Sequence, residues 1–396
     1  MYKLLQINIT ANWGSTGKIA ETIGLAAMNN GWDSYIAFGG SCNKSQSKLL
    51  RVGNRYNRYL HYIEQRISDN EGLCSRNATN RLIQQIKVIR PDIVQLHNIH
   101  DHYINYKFLF EYLNKTDIKV VWTFHDCWAF TGHCMHFVTA NCYKWKTGCF
   151  DCPLKNEYPK SLLDKSKRNY DLKKRMFDGC NNLTIVPCSD WMANFVRQSF
   201  LKDKRIEVIK NGVDLNVFKP IRKDDKNFYS VLAVSSVWHK EKGLFDIFKI
   251  KNLLPENYQI TIVGLSAKQI DKLPSGIIGI QRTQNVQELV TLYSDADVLI
   301  NPTYADTFPT INLEALACGT PVITYKTGGS PEAIDDKTGV AVEQGDLNGM
   351  AKAIETICGK DRQEFAIACR ERAMNLFDKN KCFEKYIELY NSLIRQ

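Results

Sequence analysis

Two carboxylates, Asp306 and Glu314, stand where the chain could bind a ligand that carries both phosphates and hydroxyls. Asp306 lies in a polar turn after an apolar run of strand length, and Glu314 falls in the early turns of a helix predicted to start near Pro309. The N-terminus of a helix attracts anions because its first N–H groups have no partner within the helix. For either acid alone, the simpler interpretation is a helix start enriched in acidic residues.

The surrounding stretch, residues 298–334, predicts the elements that position these acids. An apolar strand, a polar loop and a helix are followed by a second strand at 322–325 and by the pair Gly328 and Gly329. Such units build parallel sheets whose ligands bind at the carboxyl ends of the strands. Both loops therefore belong to one edge. The loop at that edge, predicted to be exposed, consists of Thr307, Phe308, Pro309 and Thr310.

Two further loops have residues suited to phosphate binding. Lys242 ends the loop between a strand at 229–235 and a helix that begins at Leu244, so its ammonium group could reach a phosphate. Gly14 and Gly17 follow the first strand and precede a helix predicted at 18–30, and glycine there lets a backbone approach a ligand closely. The loop with Gly14 and Gly17 is not a P-loop. It lacks the first glycine of that motif, and Lys18 is followed by Ile19 instead of a Ser or Thr.

Histidines follow two neighbouring strands of the first half. The strand at 93–97 ends in His97, and the strand at 119–124 leads into His125. Histidines are more often structural than catalytic, and we interpret His97, His100 and His102 in that way.

The stretch 298–334 closely resembles the donor-site signature of retaining glycosyltransferases of family 4, which have the GT-B fold. The resemblance rests on an acid, seven residues and a glutamate, on the run ACGTPV, and on the glycine pair that follows. It implies that Glu314 holds the ribose of a sugar nucleotide. It also implies that Asp306, where the family usually has a glutamate, contacts the donor sugar.

The same resemblance assigns roles elsewhere in the chain. Lys242 with its following glycine is similar to the family's pair that binds the donor diphosphate, and Lys240 is a candidate to replace an arginine that this chain lacks at Val237. His125, in the run TFHDCW, matches a histidine beside the donor sugar. The loop with Gly14 and Gly17 corresponds to one that closes over the donor pyrophosphate. Residues 307–310 are expected to contact the donor.

The expected fold class is α/β: a GT-B protein with two Rossmann-like, doubly wound parallel-sheet domains that face each other across a cleft. We expect an acceptor-side domain at 1–210, a nucleotide-sugar domain at 211–375, and a last helix at 376–396 that packs back on the first domain. The run NGVDLNVFKP at 211–220 resembles the family's interdomain linker.

The expected activity is transfer of a sugar from a nucleotide diphosphate, linked to UDP or GDP, to an acceptor hydroxyl with retention of anomeric configuration. No enzyme nucleophile is assigned. No pair of acids with metal-ligand spacing stands beside the donor loops, so we expect catalysis without a metal cofactor. Alternatives are a phosphorylase-like enzyme with a pyridoxal lysine, a GT-B sugar-nucleotide epimerase and a non-catalytic sugar-nucleotide-binding protein.

The charge of the chain is concentrated in its first half. Residues 1–210 carry 30 lysines and arginines against 18 acids, whereas the remainder carries 22 against 24. A basic surface suits anionic lipid or a phosphorylated substrate, or it serves solubility alone. Nucleic acid is not an expected partner, since no recognition motif is present. No run of about 18 apolar residues suggests a membrane span. We expect a cytoplasmic enzyme, peripheral at the inner face of the membrane, that acts on a lipid-linked saccharide.

Thirteen cysteines in a chain without a recognisable export signal are expected to be reduced. Five lie between residues 127 and 152, and four of them could bind a structural zinc ion: Cys134, Cys142, Cys149 and Cys152. Disulfides or unconnected buried thiols are an equal alternative, because the gaps fit no standard zinc spacing.

Overall fold

The computed structural model describes residues 1–221 and 226–396, and the chain divides into two compact units. The first unit comprises Met1–Ile209 together with Phe383–Gln396, and the second comprises Lys210–Cys382. Each unit has its own parallel sheet and its own apolar core.

Strands and helices alternate along most of both units. The strands are β1 (Lys3–Asn8), β2 (Asp33–Phe38), β3 (Lys48–Arg51), β4 (Ile93–Leu96), β5 (Lys119–Phe124), β6 (Leu183–Pro187), β7 (Arg205–Ile206), β8 (Tyr229–Val234), β9 (Tyr258–Val263), β10 (Ile277–Ile280), β11 (Val298–Asn301), β12 (Val322–Tyr325) and β13 (Gly339–Val342). The α-helices are α1 (Gly14–Asn29), α2 (Arg55–Ser68), α3 (Arg76–Ile89), α4 (Tyr106–Leu113), α5 (Ser166–Lys173), α6 (Asp190–Val196), α7 (Leu244–Leu253), α8 (Ala267–Ile270), α9 (Val286–Asp295), α10 (Thr310–Ala317), α11 (Leu347–Cys358), α12 (Arg362–Leu376) and α13 (Lys379–Ile394).

The sheet of the first unit has the order β3-β2-β1-β4-β5-β6-β7, with parallel pairing throughout. Helices cover both faces of such a sheet, so its central strands are apolar on both sides. Leu4, Leu5 and Ile7 of β1 are accordingly inaccessible to solvent. The strand order reverses between β1 and β4, and a crevice for ligands forms at that point in doubly wound sheets.

The sheet of the second unit has the order β10-β9-β8-β11-β12-β13, again with parallel pairing throughout. Its order reverses between β8 and β11. The loops that leave these two strands carry Lys242 and Asp306, so the topology brings both residues to one crevice. The α/β doubly wound fold class predicted from the sequence is confirmed.

The last helix contributes its apolar face to the first unit. Tyr386, Leu389, Tyr390 and Leu393 pack in one buried cluster with Trp32 and other residues of that unit. The Tyr386 hydroxyl also lies 3.1 Å from the hydroxyl of Thr123 on β5. These contacts fix α13 from Phe383 onward.

The run at 211–220 is fixed within the second unit. The Arg370 guanidinium of α12 donates hydrogen bonds to the carbonyl of Phe218 at 2.7 Å and to that of Leu215 at 3.1 Å. Val213 pairs with the backbone around Asp378. The segment that the sequence predicts as a linker is therefore tied to α12 and to the start of α13.

None of the helices in the two described ranges has the length and apolar character needed to cross a bilayer.

Candidate functional site

The loop before α7 is built to hold Lys242 at the crevice of the second unit. A short 3₁₀ turn, Lys240–Lys242, ends at Gly243, which has a positive φ of 72°. A Cβ at this glycine would lie 2.1 Å from the carbonyl oxygen of Pro302, so the two crevice loops meet only because the side chain is absent. The N–H of Tyr304 also donates to the Glu241 carbonyl at 2.7 Å. These contacts lock the Lys242 loop onto the loop that carries Asp306.

Lys242 and Asp306 form an ion pair across these two loops. The Lys242 ammonium lies 2.7 Å from Oδ2 of Asp306, and their side chains are 27% and 20% exposed. An ammonium group has three donors, so Lys242 can keep this contact while it donates to a phosphate. The pair therefore presents a cation for a diphosphate and a carboxylate for a hydroxyl within one small area.

Glu314 lies on α10 and is oriented by Tyr293 at the buried side of α9. The Tyr293 hydroxyl donates to Oε2 of Glu314 at 2.8 Å. Burial, together with the nearby Glu314 carboxylate, raises the pKa of Tyr293 well above its usual value, so this hydroxyl stays protonated and remains a donor. Tyr293 is a site residue that the sequence alone did not indicate.

The glycine pair after β12 supports the loop with Asp306. Gly328 has a φ of 58°, and a Cβ there would come within 1.6 Å of the Asp306 carbonyl oxygen. The N–H of Gly329 donates to the Thr307 carbonyl at 3.0 Å. The pair is thus needed for close contact between two loops of the same edge.

The loop 307–310 is less exposed than the sequence suggested. Thr307 and Phe308 are buried, with 7% and 3% exposure, and Pro309 is buried as well. Phe308 packs against the ring of Phe377 at a centroid distance of 6.0 Å. Apolar packing of Phe308 overrides the local turn signals. Only Thr310, which begins α10, has a half-buried side chain.

A buried polar network that the sequence did not indicate lies beneath this edge. The Asn301 amide donates to Asn312 at 2.9 Å, and the Asn312 amide donates to the Ser330 hydroxyl at 2.8 Å. Ser330 also lies 2.6 Å from the Thr324 hydroxyl of β12. Satisfied buried networks fix a single geometry. The sequence did carry one signal of this network: the apolar runs VLIN and VIT end in the polar residues Asn301 and Thr324.

In the first unit, Gly14 and Gly17 lie at the start of α1, which begins four residues earlier than the sequence predicted. Gly14 has a φ of 65° and open space where a Cβ would stand. Gly17 is crowded instead: a Cβ there would lie 2.6 Å from the Thr10 hydroxyl oxygen. The structure therefore gives Gly17 a packing role within its own loop, and it leaves Gly14 at the open end of the helix.

His125 belongs to a chain of hydrogen bonds in the first unit. Nε2 of His97 lies 3.0 Å from Oε1 of Gln6, and Nδ1 of His97 lies 3.1 Å from Nε2 of His125. The Gln6 amide nitrogen donates to the Ala20 carbonyl, so its oxygen must accept from His97. Neutral His97 then accepts from His125. This order places the proton of His125 on Nε2.

Burial keeps these two imidazoles neutral. It lowers the pKa of His125 to about 4 and that of His97 well below its usual value. The neighbouring Asp126 is different, because it pairs with His100 at 2.9 Å. Although burial opposes ionisation, His100 and the Trp128 N–H hold the pKa of Asp126 at about 2. His125 therefore offers hydrogen bonds at neutral pH, whereas Asp126 carries a charge that His100 compensates.

Comparison with known proteins matches each unit to a family model of glycosyltransferases. Residues 25–217 match the family model described as Glycosyltransferase Family 4, and residues 229–360 match the model described as Glycosyl transferases group 1. The chain is a glycosyltransferase. The family resemblance and the enzyme class predicted from the sequence are therefore confirmed.

Relatives of this glycosyltransferase carry names of sugar-transfer enzymes. One, from Escherichia coli (strain K12), is named as a colanic acid biosynthesis glycosyl transferase; it is 21% identical, over 98% of this chain and all of the relative. Another, from Campylobacter jejuni subsp. jejuni serotype O:2, is an N,N'-diacetylbacillosaminyl-diphospho-undecaprenol alpha-1,3-N-acetylgalactosaminyltransferase; it is 25% identical, over 51% of this chain and 58% of the relative.

Solved structures establish the fold of the glycosyltransferase. A sucrose-phosphate synthase from Thermosynechococcus elongatus has a TM-score of 0.74 at 15% identity, with all of both chains covered. Anabaena Alr3699/HepE in complex with UDP-glucose has a TM-score of 0.64 at 14% identity, with 99% of this chain and 100% of that chain covered. The fold is GT-B.

Four cysteines of the glycosyltransferase surround one small cavity of about 20 Å³ in the first unit: Cys134, Cys142, Cys149 and Cys152. All four are free thiols. A hydrogen bond with Cys134 lowers the pKa of Cys152 to about 7, and the N–H of Gly132 donates to the Cys149 sulfur at 3.2 Å. The same hydrogen bond with Cys152 raises the pKa of Cys134 well above its usual value, and burial raises that of Cys149 to about 12, so Cys152 is the thiol most ready to bind a metal as a thiolate. The role of the four cysteines as zinc ligands remains a prediction.

Proposed function

We propose that this glycosyltransferase moves a sugar from a UDP- or GDP-linked donor to a hydroxyl of a lipid-linked saccharide, with retention of anomeric configuration. The observation that carries the proposal is the Lys242–Asp306 pair at the crevice of the second sheet, with Glu314 on α10, the helix that follows the Asp306 loop. Anionic phosphates and sugar hydroxyls are the ligand groups that suit this combination.

Charge stabilisation of the departing diphosphate is the main chemical task of the proposed site. Lys242 supplies a full positive charge, and the start of α10 at Thr310 supplies the partial positive charge of a helix N-terminus. Lys240 lies two residues earlier in the same 3₁₀ turn and is a second candidate cation. Donors already aimed at developing charge lower the barrier because they need not reorganise during the reaction.

Recognition of the donor's hydroxyls falls to the carboxylates in this proposal. Glu314, oriented by Tyr293, holds the ribose, and Asp306 contacts the transferred sugar while it keeps Lys242 in place. His125, neutral and with its proton on Nε2, supports the reacting centre. UDP as the donor carrier is supported by the HepE structure with UDP-glucose.

Retention and metal independence can be tested on one donor reaction. Nuclear magnetic resonance of the first sugar released from the donor is expected to show the anomeric configuration of the donor, at an unchanged rate after chelator treatment. An inverted first product would contradict retention. Activity that chelator abolishes and magnesium or manganese restores would contradict metal independence. Turnover to an epimerised sugar nucleotide without acceptor would favour the epimerase alternative.

The proposed acceptor is lipid-linked, and the outer face of α2 supports that proposal. This helix carries Arg55, Arg58 and Arg66 beside exposed aromatic and aliphatic side chains, with Tyr56 at 67% and Tyr59 at 60% exposure. Rings and arginines of this kind suit the boundary between lipid headgroups and water. The name of the Campylobacter relative, which contains diphospho-undecaprenol, supports the same acceptor class.

Vesicle sedimentation tests the membrane proposal. The glycosyltransferase is expected to sediment with vesicles containing phosphatidylglycerol and to be released by salt, because surface charges are screened. Replacing Tyr56 and Tyr59 by serine should weaken this binding at low salt. Wild-type sedimentation by that double variant, or failure of the wild type to bind at any salt concentration, would contradict a peripheral location at the inner face of the membrane.

A further inference from the structure

Three metal-ligating side chains other than the four cysteines meet inside the first unit. His61 lies on the inner face of α2, Glu71 lies in the loop after α2, and His102 lies in the loop after β4. Their ligand atoms all lie within 4.8 Å of one another. The three residues are buried, with exposures of 1%, 4% and 8% respectively.

The hydrogen bonds of His61 leave one ring nitrogen without a partner. Its Nδ1 lies 2.9 Å from the Ser75 hydroxyl. Its Nε2 is buried and has no hydrogen-bond partner of acceptable geometry among the described residues. An unsatisfied buried ring nitrogen is costly unless another group binds it.

Glu71 resembles His61 in that one of its polar atoms is hydrogen-bonded to the protein and the other faces the cluster. Oε1 accepts from the backbone N–H groups of Asp101 at 2.6 Å and His102 at 3.2 Å. Oε2 lies 2.7 Å from Nδ1 of His102. Within the described ranges, neither of those two atoms makes a well-aligned hydrogen bond. They are close but not directed at each other, which suits two ligands of a shared ion.

We propose that His61, Glu71 and His102 bind a divalent transition metal ion, with Zn²⁺ as the best fit. Two imidazole nitrogens and one carboxylate oxygen are a common ligand set for Zn²⁺, whereas Mg²⁺ and Ca²⁺ prefer oxygen ligands. Zinc bonds to these atoms measure about 2.0–2.2 Å, so a tetrahedral ion would need Glu71 and His102, now 2.7 Å apart, to separate slightly and His61 to move toward them. A water molecule would complete a tetrahedron.

Such an ion would join α2 to the two loops that carry Glu71 and His102. Asp101 and His102 both have positive φ, 79° and 68°, and Glu71 already binds their N–H groups. The ion would hold this conformation from the other side. The proposal is independent of glycosyl transfer, and it concerns a structural site beneath the exposed face of α2.

Metal titration of the full chain, without a histidine tag, tests the proposal. After metal removal, the nitrogen-bound Co²⁺ is expected to give absorption bands that lack a thiolate charge-transfer component, recorded in the Cys149→Ser, Cys152→Ser double variant so that the predicted cysteine site adds none. His61→Gln should weaken this binding more than about tenfold, since even outer-sphere changes cost 10- to 100-fold in metal affinity. The matched control is Cys149→Ser with Cys152→Ser, which should leave the nitrogen-bound ion in place.

Two results would overturn the proposal. One is the absence of Co²⁺ and Zn²⁺ uptake, which would leave Glu71 and His102 as a plain ion pair. The other is uptake that the cysteine double variant abolishes and His61→Gln does not change. If His61→Gln fails to fold, histidine-labelled wild-type protein replaces it: Zn²⁺ should shift the ring nitrogens of two histidines, and unshifted rings would contradict the site.

Discussion

The two units place very different groups at the crevices of similar sheets. In the first unit, His97 and His125 meet at 3.1 Å as neutral imidazoles whose pKa values are lowered by burial. In the second unit, Lys242 and Asp306 meet at 2.7 Å with about a quarter of each side chain exposed. One fold therefore presents neutral hydrogen-bonding groups at one crevice and a charged pair at the other.

This difference matches a division of chemical work. A diphosphate needs a cation, and a partly exposed cation keeps its charge without the large desolvation cost of burial. A neutral imidazole can orient hydroxyls without attracting the diphosphate away from its own site. We therefore expect substitutions in the second unit to affect mainly donor binding and stabilisation of the leaving diphosphate. Substitutions of these histidines in the first unit should affect the pH dependence of protein stability.

The largest expected effect is that of Lys242→Ala, which should lower kcat/KM by about 100- to 1,000-fold, as loss of one donor to developing negative charge does elsewhere. Lys240→Ala is the matched control and should cost less than about tenfold, since Lys240 is not paired with Asp306. Steady-state kinetics on both variants give the comparison. Equal losses would show that the charge is shared and that the Asp306 pair does not single out Lys242.

Glu314→Ala should weaken donor binding by about 10- to 100-fold, the usual cost of losing a charged hydrogen-bond partner. Calorimetric titration of the donor measures this change. Glu288→Ala, on α9, serves as the control and should bind like the wild type. If Glu314→Ala bound the donor as well as the wild type, the ribose assignment would be wrong.

His125→Asn should alter the dependence of stability on pH. The folded pKa of His125, about 4, lies below the ordinary value of 6.5, so the unfolded chain binds the proton more readily. Stability from this group is complete above pH 6.5 and falls as pH decreases toward 4. The variant should therefore lose less stability between pH 6.5 and 4 in denaturant unfolding. An unchanged slope would indicate a protonated His125 in the folded protein.

Tyr293→Phe should have the smallest effect of the series. It removes the hydroxyl that orients Glu314 but leaves the carboxylate, so donor affinity should fall by less than about tenfold, equivalent to roughly 1 kcal/mol for one hydrogen bond. Donor affinity measured for Tyr293→Phe and Glu314→Ala side by side distinguishes the effect of orienting Glu314 from the effect of its direct contact with the donor. A loss as large as that of Glu314→Ala would make Tyr293 itself a donor-binding residue.

The second unit was predictable in detail because its signals are local. The sequence predicted a strand at 322–325, and β12 spans those residues. Lys242 and Asp306 each follow a strand of one parallel sheet, so sheet topology alone brings them to one edge. The glycine pair and the glycine after Lys242 were visible in the sequence, although the close contacts they permit were not.

The remaining features depend on contacts between distant residues or on competition between local and tertiary preferences. Tyr293 and Glu314 are 21 positions apart, on separate helices, so no spacing rule connects them. Phe308 looked exposed because turn residues surround it, yet it is buried. The sequence placed the start of α1 after Gly14 and Gly17, because glycine disfavours helices. Packing overrides that preference, and the helix begins at Gly14.

The central claim is that the charged crevice of the second unit binds a nucleotide diphosphate, and a thermal-unfolding panel of sugar nucleotides tests it most directly. At least one UDP- or GDP-linked sugar should raise the Tm of the wild-type protein, because a ligand of the folded state stabilises it by mass action. The same compound should leave the Tm of Lys242→Ala nearly unchanged. Equal shifts in both proteins, or no shift with any member of the panel, would contradict the claim.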